Sequence, residues 1–173
     1  LTFDPSGKLT SAGVTTGQTF TPGAGSGLTL KVGSTTTNIN LGSTAQTLQQ
    51  VSDAINAANA GVTASISNDG AKDHLVLTPS GAGATSAVSL TGTGDYADLS
   101  GSTMGQLQAA QDAKVSIDGV TVTSASNKVT DAISGVTLNL TKVTTADDNF
   151  TLNISNDTSG VISTANTFVS AYN

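Results

Sequence analysis

The stretch Thr47 to Thr78, TLQQVSDAINAANAGVTASISNDGAKDHLVLT, contains the signals for one helix followed by two strands. Thr47 with Gln50 three residues later has the form of a capping box, which fixes a helix start. Apolar residues recur at helical spacing behind it, at Leu48, Val51, Ile55 and Ala58. Gly61 stands where a left-handed residue often ends a helix. The sequence therefore predicts an amphipathic helix whose apolar stripe faces a core.

The two strands follow the helix directly. Val62, Ala64 and Ile66 alternate with polar residues, as they do in a half-buried strand. Asp69-Gly70 favours a tight turn, and residues 74–78 (HLVLT) predict the returning strand.

The flanking sequence favours further strands. Alternation predicts a strand at 28–32 (LTLKV), a hairpin partner at 38–41 and a short strand at 88–90. Residues 16–27 have a loop-like composition, and Asp4 to Gly7 predict a turn. The Gly- and Ser-rich segment 91–106 predicts a bridge between two domains.

A second group of β-strand signals lies beyond this bridge. Residues 113–117 and 120–123 flank Asp118-Gly119, a strong hairpin signal. Val129 and Ile133 suggest a single helical turn, and strands are expected at 136–140 and 150–154. The last segment, with Asn156 or Asp157 as its cap, has an apolar stripe typical of a coiled-coil helix, consisting of Val161, Ile162, Ala165, Phe168, Val169 and Tyr172. The stripe runs to Asn173, so we expect a longer helix that needs a partner.

These patterns together predict a mainly β fold with some α (α+β). We expect two small β-rich domains of mostly antiparallel strands, one amphipathic helix in the first, and the start of a coiled-coil helix at the C-terminus. Only 10% of the 173 residues are charged, and these include no Glu and no Arg. Such a composition favours strands joined by many turns over long helices.

Composition also argues against several functions. A net charge of −6 without Arg leaves little to neutralise phosphates, which disfavours nucleic acids and anionic membranes as partners. The absence of Cys excludes disulfides and thiolate metal sites. No cofactor motif is present, and the Gly-rich segments lack the context of a phosphate loop.

The sequence offers no catalytic constellation. His74, the only histidine, adjoins Asp73 but has no nucleophile at a suggestive spacing, and we interpret it as a strand residue after a turn. The clusters 68–70 and 147–149 lack the alternating ligands of a calcium loop, so turn chemistry explains them better. We therefore expect neither an enzyme nor a metal protein.

Several motifs in one order resemble a known family. Residues 48–58 and 61–66 resemble the IN motif of flagellins and hook-associated proteins, named for an Ile-Asn pair that is Ile55-Asn56 here. Residues 110–119, then Asn127, 136–140 and the ending 168–173 (FVSAYN) narrow the resemblance to the flagellar filament-capping proteins, also called hook-associated protein two. The motif core would be Leu48, Val51, Ile55, Asn56, Val62 and Ile66.

The resemblance implies a domain plan. Residues 28–100 would form an outer head domain with the IN motif, and residues 107–155 the C-terminal part of a second head domain. Residues 158–173 would begin a leg helix whose stripe packs in the assembly. The Gly- and Thr-rich segment 1–27 is left without a domain.

The resemblance also implies a structural role. Family members leave the cell through the flagellar secretion channel and form a homo-oligomeric ring at the filament tip, where they promote flagellin insertion. Implied partners are further copies of the chain, flagellin and the hook-associated junction proteins, with host mucin or glycan left open. The alternative is an extracellular adhesin or carbohydrate-binding β domain, although only Tyr96 and Tyr172 are available as Tyr or Trp platforms for a sugar.

Overall fold

A computed structural model describes residues 7–100, 105–144, 151 and 159–172. The chain divides into two compact units, Leu1–Lys142 and Val143–Asn173. The described strands are β1 (Lys8–Thr10), β2 (Val14–Thr15), β3 (Thr19–Phe20), β4 (Gly27–Val32), β5 (Thr35–Ile39), β6 (Gln46–Thr47), β7 (Val62–Asn68), β8 (Lys72–Pro79), β9 (Val88–Thr93), β10 (Gly105–Gln108), β11 (Ala113–Ile117), β12 (Val120–Ser124), β13 (Lys128–Ile133) and β14 (Val136–Asn139). The helices are α1 (Leu48–Ala57) and α2 (Ser159–Tyr172), and short 3₁₀ helices lie at Ala84–Ser86 and Gly94–Leu99.

All described strand pairs are antiparallel. In the five-stranded sheet, β8 pairs with β7 on one side and with both β1 and β2 on the other, and β10 lies beyond β1. A three-stranded sheet has the order β5-β4-β9, while β3 pairs with β6. The hairpins β11–β12 and β13–β14 form separate two-stranded sheets. The predicted α+β fold class with mostly antiparallel strands is confirmed.

One hydrophobic core joins the five-stranded sheet, the three-stranded sheet and β3 to α1. Its buried members are Leu9, Val14, Phe20, Leu28, Leu30, Ile39, Leu41, Leu48, Val51, Ile55, Val62, Ala64, Leu75, Leu77, Leu90, Tyr96 and Leu99. Aliphatic side chains dominate, and the rings of Phe20 and Tyr96 stack with centroids 5.7 Å apart. Ala113 and Val129, in the two separate hairpins, are buried outside this cluster.

The start of α1 is the one that the sequence predicts, but its end is not. Thr47 accepts a hydrogen bond from Gln50 N–H, and the Gln50 side chain accepts one from Thr47 N–H, which completes the capping box. The helix ends earlier than expected, with Ala58 as its C-cap and Asn59 as the left-handed residue after it (φ 47°). Gly61 is also left-handed but leads into β7, so its assignment as the helix stop was wrong.

Several strand predictions are confirmed, and one has different bounds. The strands predicted at 28–32, 62–66, 74–78, 88–90, 113–117 and 120–123 are present. The hairpin partner of β4 is β5, which pairs Thr35 with Val32 across a two-residue turn, so the predicted partner 38–41 began too late. The loop predicted at 16–27 contains β3, whose Phe20 is in the core.

Two further predictions were wrong. The predicted bridge 91–106 includes the end of β9, a 3₁₀ helix and the start of β10, and it places Tyr96 and Leu99 in the core. Val129 and Ile133 lie in β13 rather than in a helical turn. A spacing of four places two residues on one face of either a helix or a strand, so this pattern could not decide between them.

Other predictions fall outside the described residues. These are the turn at Asp4 to Gly7 except for Gly7, the strand at 150–154 except for Thr151, and the cap at Asn156 or Asp157. The terminal helix itself is present as α2. The domain limits at 28, 100, 107 and 155 stay predictions. Three strands of the N-terminal segment 1–27 pair with strands of the predicted outer domain: β1 and β2 with β8, and β3 with β6.

Candidate functional site

The junction between α1 and β7 is built around one amide side chain. Asn56 Nδ2 donates to the Ala64 carbonyl oxygen at 2.9 Å, and Ala64 N–H donates to Asn56 Oδ1 at 2.8 Å. Both backbone groups of Ala64 therefore point away from β8, the strand with which β7 pairs. Asn56 thus provides hydrogen-bond partners for backbone groups at the edge of β7, which would otherwise need another strand or water.

The neighbouring Ile55 performs a different task. Its side chain is fully buried, next to Leu48 and Val51 on the same face of α1. Val62 is buried in the same core, and Ile66 packs against it while partly exposed. The structure thus brings all six predicted motif residues to one junction, with five apolar side chains on the core and Asn56 at the strand edge. Their role as the core of an IN motif stays a prediction.

His74 lies in a polar cluster at the end of the β7–β8 hairpin. Its Nε2 is 3.0 Å from Asp69 Oδ2, and its Nδ1 is 2.9 Å from the carbonyl oxygen of Ser11. Ser11 Oγ instead accepts a hydrogen bond from Leu75 N–H at 2.9 Å. The ring therefore faces the Ser11 carbonyl and not its hydroxyl, so these residues do not form the nucleophile and base pair of a hydrolase.

The contacts in this cluster shift two pKa values in opposite directions. The hydrogen bond to Asp69 raises the pKa of His74, with help from the one to the Ser11 carbonyl and against partial desolvation and Lys72. The hydrogen bond from His74 holds the pKa of Asp69 well below its usual range, as do those from the Ala71 and Lys72 amides. Each shift favours the charged form of its group.

The residues predicted for leg-helix packing lie on α2. Ile162, Phe168, Val169 and Tyr172 expose most of their side-chain surface, and Ala165 is also exposed. The Phe168 and Tyr172 rings stack with centroids 6.5 Å apart. The side chain of Val161 lies outside the described residues. The packing of this stripe in the assembly stays a prediction.

A further contact between separate segments was not predicted from the sequence. Ala84 N–H donates to Asp112 Oδ1 at 2.8 Å, which joins the connection between β8 and β9 to the segment before β11. Gly83 makes this approach close, because an added Cβ would lie 2.8 Å from the Cα of Ala125. Nothing in the local sequence marks Asp112, since its partner is 28 residues away.

The described part of the chain shows neither a metal cluster nor a membrane-spanning helix. The described residues hold no group of three or more His, Cys, Asp or Glu side chains that could bind a metal ion. Among the described helices, none is long and apolar enough to cross a membrane.

Two family models match the chain. The first is described as the flagellin hook IN motif and matches residues 27–81, and the second, as the flagellar hook-associated protein 2 C-terminus, matches residues 110–173. The B-type flagellar hook-associated protein 2 of Pseudomonas aeruginosa PAO1 is 34% identical, over 78% of this chain and 33% of its own length. The match thus spans about a third of that relative.

Solved structures extend the similarity to the whole fold. The crystal structure of FliD (HAP2) from Pseudomonas aeruginosa PAO1 is 27% identical, with a TM-score of 0.80 over 99% of this chain and 83% of that one. The D2-D3 domains of the flagellar cap protein FliD from Escherichia coli are 33% identical, with a TM-score of 0.68 over 83% of this chain and 79% of that one.

Proposed function

We propose, because the chain belongs to the flagellar hook-associated protein 2 (FliD) family, that it is part of a cap on a bacterial flagellar filament. The observation on which this proposal depends is the similarity, in both sequence and fold, to the D2-D3 domains of a flagellar cap protein. The comparisons give no support to an adhesin or a carbohydrate-binding domain.

The proposed role is structural and not enzymatic. The full-length protein would form a homo-oligomeric ring at the filament tip and promote the insertion and polymerisation of flagellin. Its other contacts would be with the hook-associated junction proteins, and it would reach the cell exterior through the flagellar secretion channel.

Each part of the chain has a proposed place in this scheme. Residues 28–100 would be the outer head domain, stabilised by the junction between α1 and β7. Residues 107–155 would be part of a second head domain. Residues 158–173 would begin a leg helix that packs through its apolar stripe. A ring needs head-to-tail contacts between copies, and the Ser- and Thr-rich surface favours modest, hydrated ones. We therefore expect the isolated chain to be monomeric or weakly associating.

Complementation of a capless, non-motile bacterium tests this function. The full-length protein that contains this chain is expressed intact, and in parallel with residues 28–100 replaced by a short Gly/Ser linker. Filament length and swimming are measured, and the secreted protein is quantified as the control for export. The intact protein is expected to restore filaments and motility.

The possible results separate the proposals. An intact protein that is exported in normal amounts but restores no filaments contradicts the cap function. If the intact protein works and the deletion variant does not, the head region is needed for capping. If the deletion variant also works, capping stands but the proposed role of residues 28–100 in it is wrong.

A further inference from the structure

Both ring nitrogens of His74 face oxygens that can only accept a hydrogen bond. The partner of Nδ1 is the Ser11 carbonyl at 2.9 Å, and the partner of Nε2 is the Asp69 carboxylate at 3.0 Å. Neutral imidazole carries a single N–H and could donate to only one of them, whereas the imidazolium ion donates to both. The geometry therefore selects the protonated ring.

The first partner lies between two very short strands. Ser11 is the first of the three residues between β1 and β2, and both strands pair with β8 through only two residues each. On its other side, β1 pairs with β10 through three residues. Ser11 is 2% exposed, and its N–H donates to the Leu75 carbonyl at 2.9 Å while its Oγ accepts from Leu75 N–H. The ring also lies against Gly13, where an added Cβ would come within 2.7 Å of His74 Cε1. His74 thus adds a contact to β8 for a segment that pairs with this strand through only four residues in all.

The second partner is fixed by its own turn. Asp69 Oδ1 accepts hydrogen bonds from Ala71 N–H at 2.9 Å and Lys72 N–H at 2.7 Å, which leaves Oδ2 for His74. The turn therefore holds the carboxylate in place without the ring. His74 links this turn to the junction between β1 and β2.

Few other charges surround the ring. On β8, Lys72 disfavours the protonated ring, and Asp73, next to His74 in sequence, accepts a hydrogen bond from Asn68 Nδ2. Within residues 8–15, the segment packed against this part of β8, Lys8 is the only charged residue. Asp69 is thus the carboxylate in contact with the ring.

We propose that protonated His74 is a pH-sensitive contact, which holds the β1–β2 segment (residues 8–15) on β8 and releases it when the ring loses its proton. The proposal does not depend on capping, since it follows from the contacts of this cluster alone. Release would begin at Ser11, because a neutral ring can donate to only one acceptor, and a hydrogen bond to the charged Asp69 carboxylate is stronger than one to the Ser11 carbonyl.

The sign of the effect follows from linkage. Because the pKa of folded His74 is raised above 6.5, its stabilisation is complete below that pH and is lost as the pH rises through the folded value. The lowered pKa of Asp69 acts in the other direction: its contribution is complete above 3.8 and is lost only in stronger acid. The segment is therefore held most firmly between pH 3.8 and pH 6.5, where both groups are charged. His74 is 23% and Asp69 53% exposed, so salt should weaken the effect.

Nuclear magnetic resonance of the 173-residue chain tests the proposal directly, since the only imidazole signals come from His74. The ring nitrogens should both be protonated at pH 6, with a titration midpoint above 6.5 that Asp69→Asn lowers. Amide exchange at Ser11 and Leu75, corrected for its intrinsic pH dependence, should accelerate above the midpoint. Linkage limits the acceleration to about tenfold per pH unit between the folded and unfolded midpoints.

Controls make the test decisive. Amides of the β4–β9 ladder, such as those around Leu30 and Leu90, should show no such change, and His74→Gln should abolish the pH dependence at Ser11. If His74→Gln fails to fold, the comparison of Asp69→Asn with the parent chain still decides. A midpoint at or below 6.5 overturns the proposal. So does pH-independent exchange at Ser11, or an equal acceleration in the β4–β9 ladder, which would indicate global rather than local opening.

Discussion

Asn56 forms with Ala64 the two hydrogen bonds that a neighbouring strand would otherwise form with the edge of β7. The Ile-Asn pair of the motif therefore has a physical explanation at this junction. Ile55 anchors α1 in the core, and the next side chain closes the exposed edge of the strand. A helix and a strand that follow each other in sequence are thereby fixed to each other by both apolar and polar contacts.

Replacing Asn56 with Ala should lower the free energy of unfolding by about 1–3 kcal/mol, because both backbone groups of Ala64 lose their partner. Urea denaturation of the parent and the variant measures the difference. Gln49→Ala is the matched control: Gln49 is an exposed residue on the same helix whose amide donates to Asp53, and the loss of this contact should cost less than about 0.5 kcal/mol. Equal effects of the two substitutions would show that the Asn56 contacts contribute little.

The sequence predicted this junction well because its signals are local. A capping box, an apolar stripe and an alternating strand all lie within 22 residues, from Thr47 to Asn68. The helix end was missed because Asn59 and Gly61 can both adopt positive φ, and only the packing of α1 decides which one ends it.

The N-terminal contacts were missed for a different reason. Phe20 and Ser11 lie in segments with turn-like composition, and their partners are far away in sequence. Phe20 stacks on Tyr96, and Ser11 accepts a hydrogen bond from His74, which lies 63 residues later in the chain. No local periodicity marks such pairs. The irregular register between Val129 and Ile133 in β13 likewise obscures the alternation that would have indicated a strand.

Gly92 is required by the close approach of the following 3₁₀ helix. A Cβ at this position would overlap the carbonyl oxygen of Tyr96. Gly92→Ala should therefore cost about 3 kcal/mol, at the upper end of the range for overpacking. The control is Gly27→Ala on the paired strand β4, where the nearest atom to an added Cβ is 3.6 Å away and stability should be unchanged or slightly higher. Thermal unfolding compares the two, and a well-tolerated Gly92→Ala would contradict the packing described here.

The hydroxyl of Tyr96 is buried without a hydrogen-bond partner among the described residues. Burial raises the pKa of this hydroxyl, with a smaller contribution from Asp95. Tyr96→Phe keeps the aromatic ring that stacks on Phe20 and removes the unpaired hydroxyl. We therefore expect the free energy of unfolding to stay constant or to rise, by at most about 3 kcal/mol. Urea denaturation checks this, with Phe20→Leu as a control that should destabilise. A loss on Tyr96→Phe would reveal a partner for the hydroxyl.

The last prediction concerns α2, whose 14 residues expose Phe168 by 70% and Tyr172 by 86%. Isolated helices shorter than about 12–15 residues are marginal in water, and most helix stability in proteins comes from packing an apolar face. If the stripe packs on a partner helix in the cap, α2 amides of the 173-residue chain should exchange with little protection. They should become protected in the assembled full-length protein, and Phe168→Ser together with Val169→Ser should remove that gain. Ser163→Ala on the same helix, a change that adds no polar group, is the matched control. Slow exchange across α2 in the 173-residue chain would show that the helix is already stabilised and would contradict its proposed role as the start of a leg.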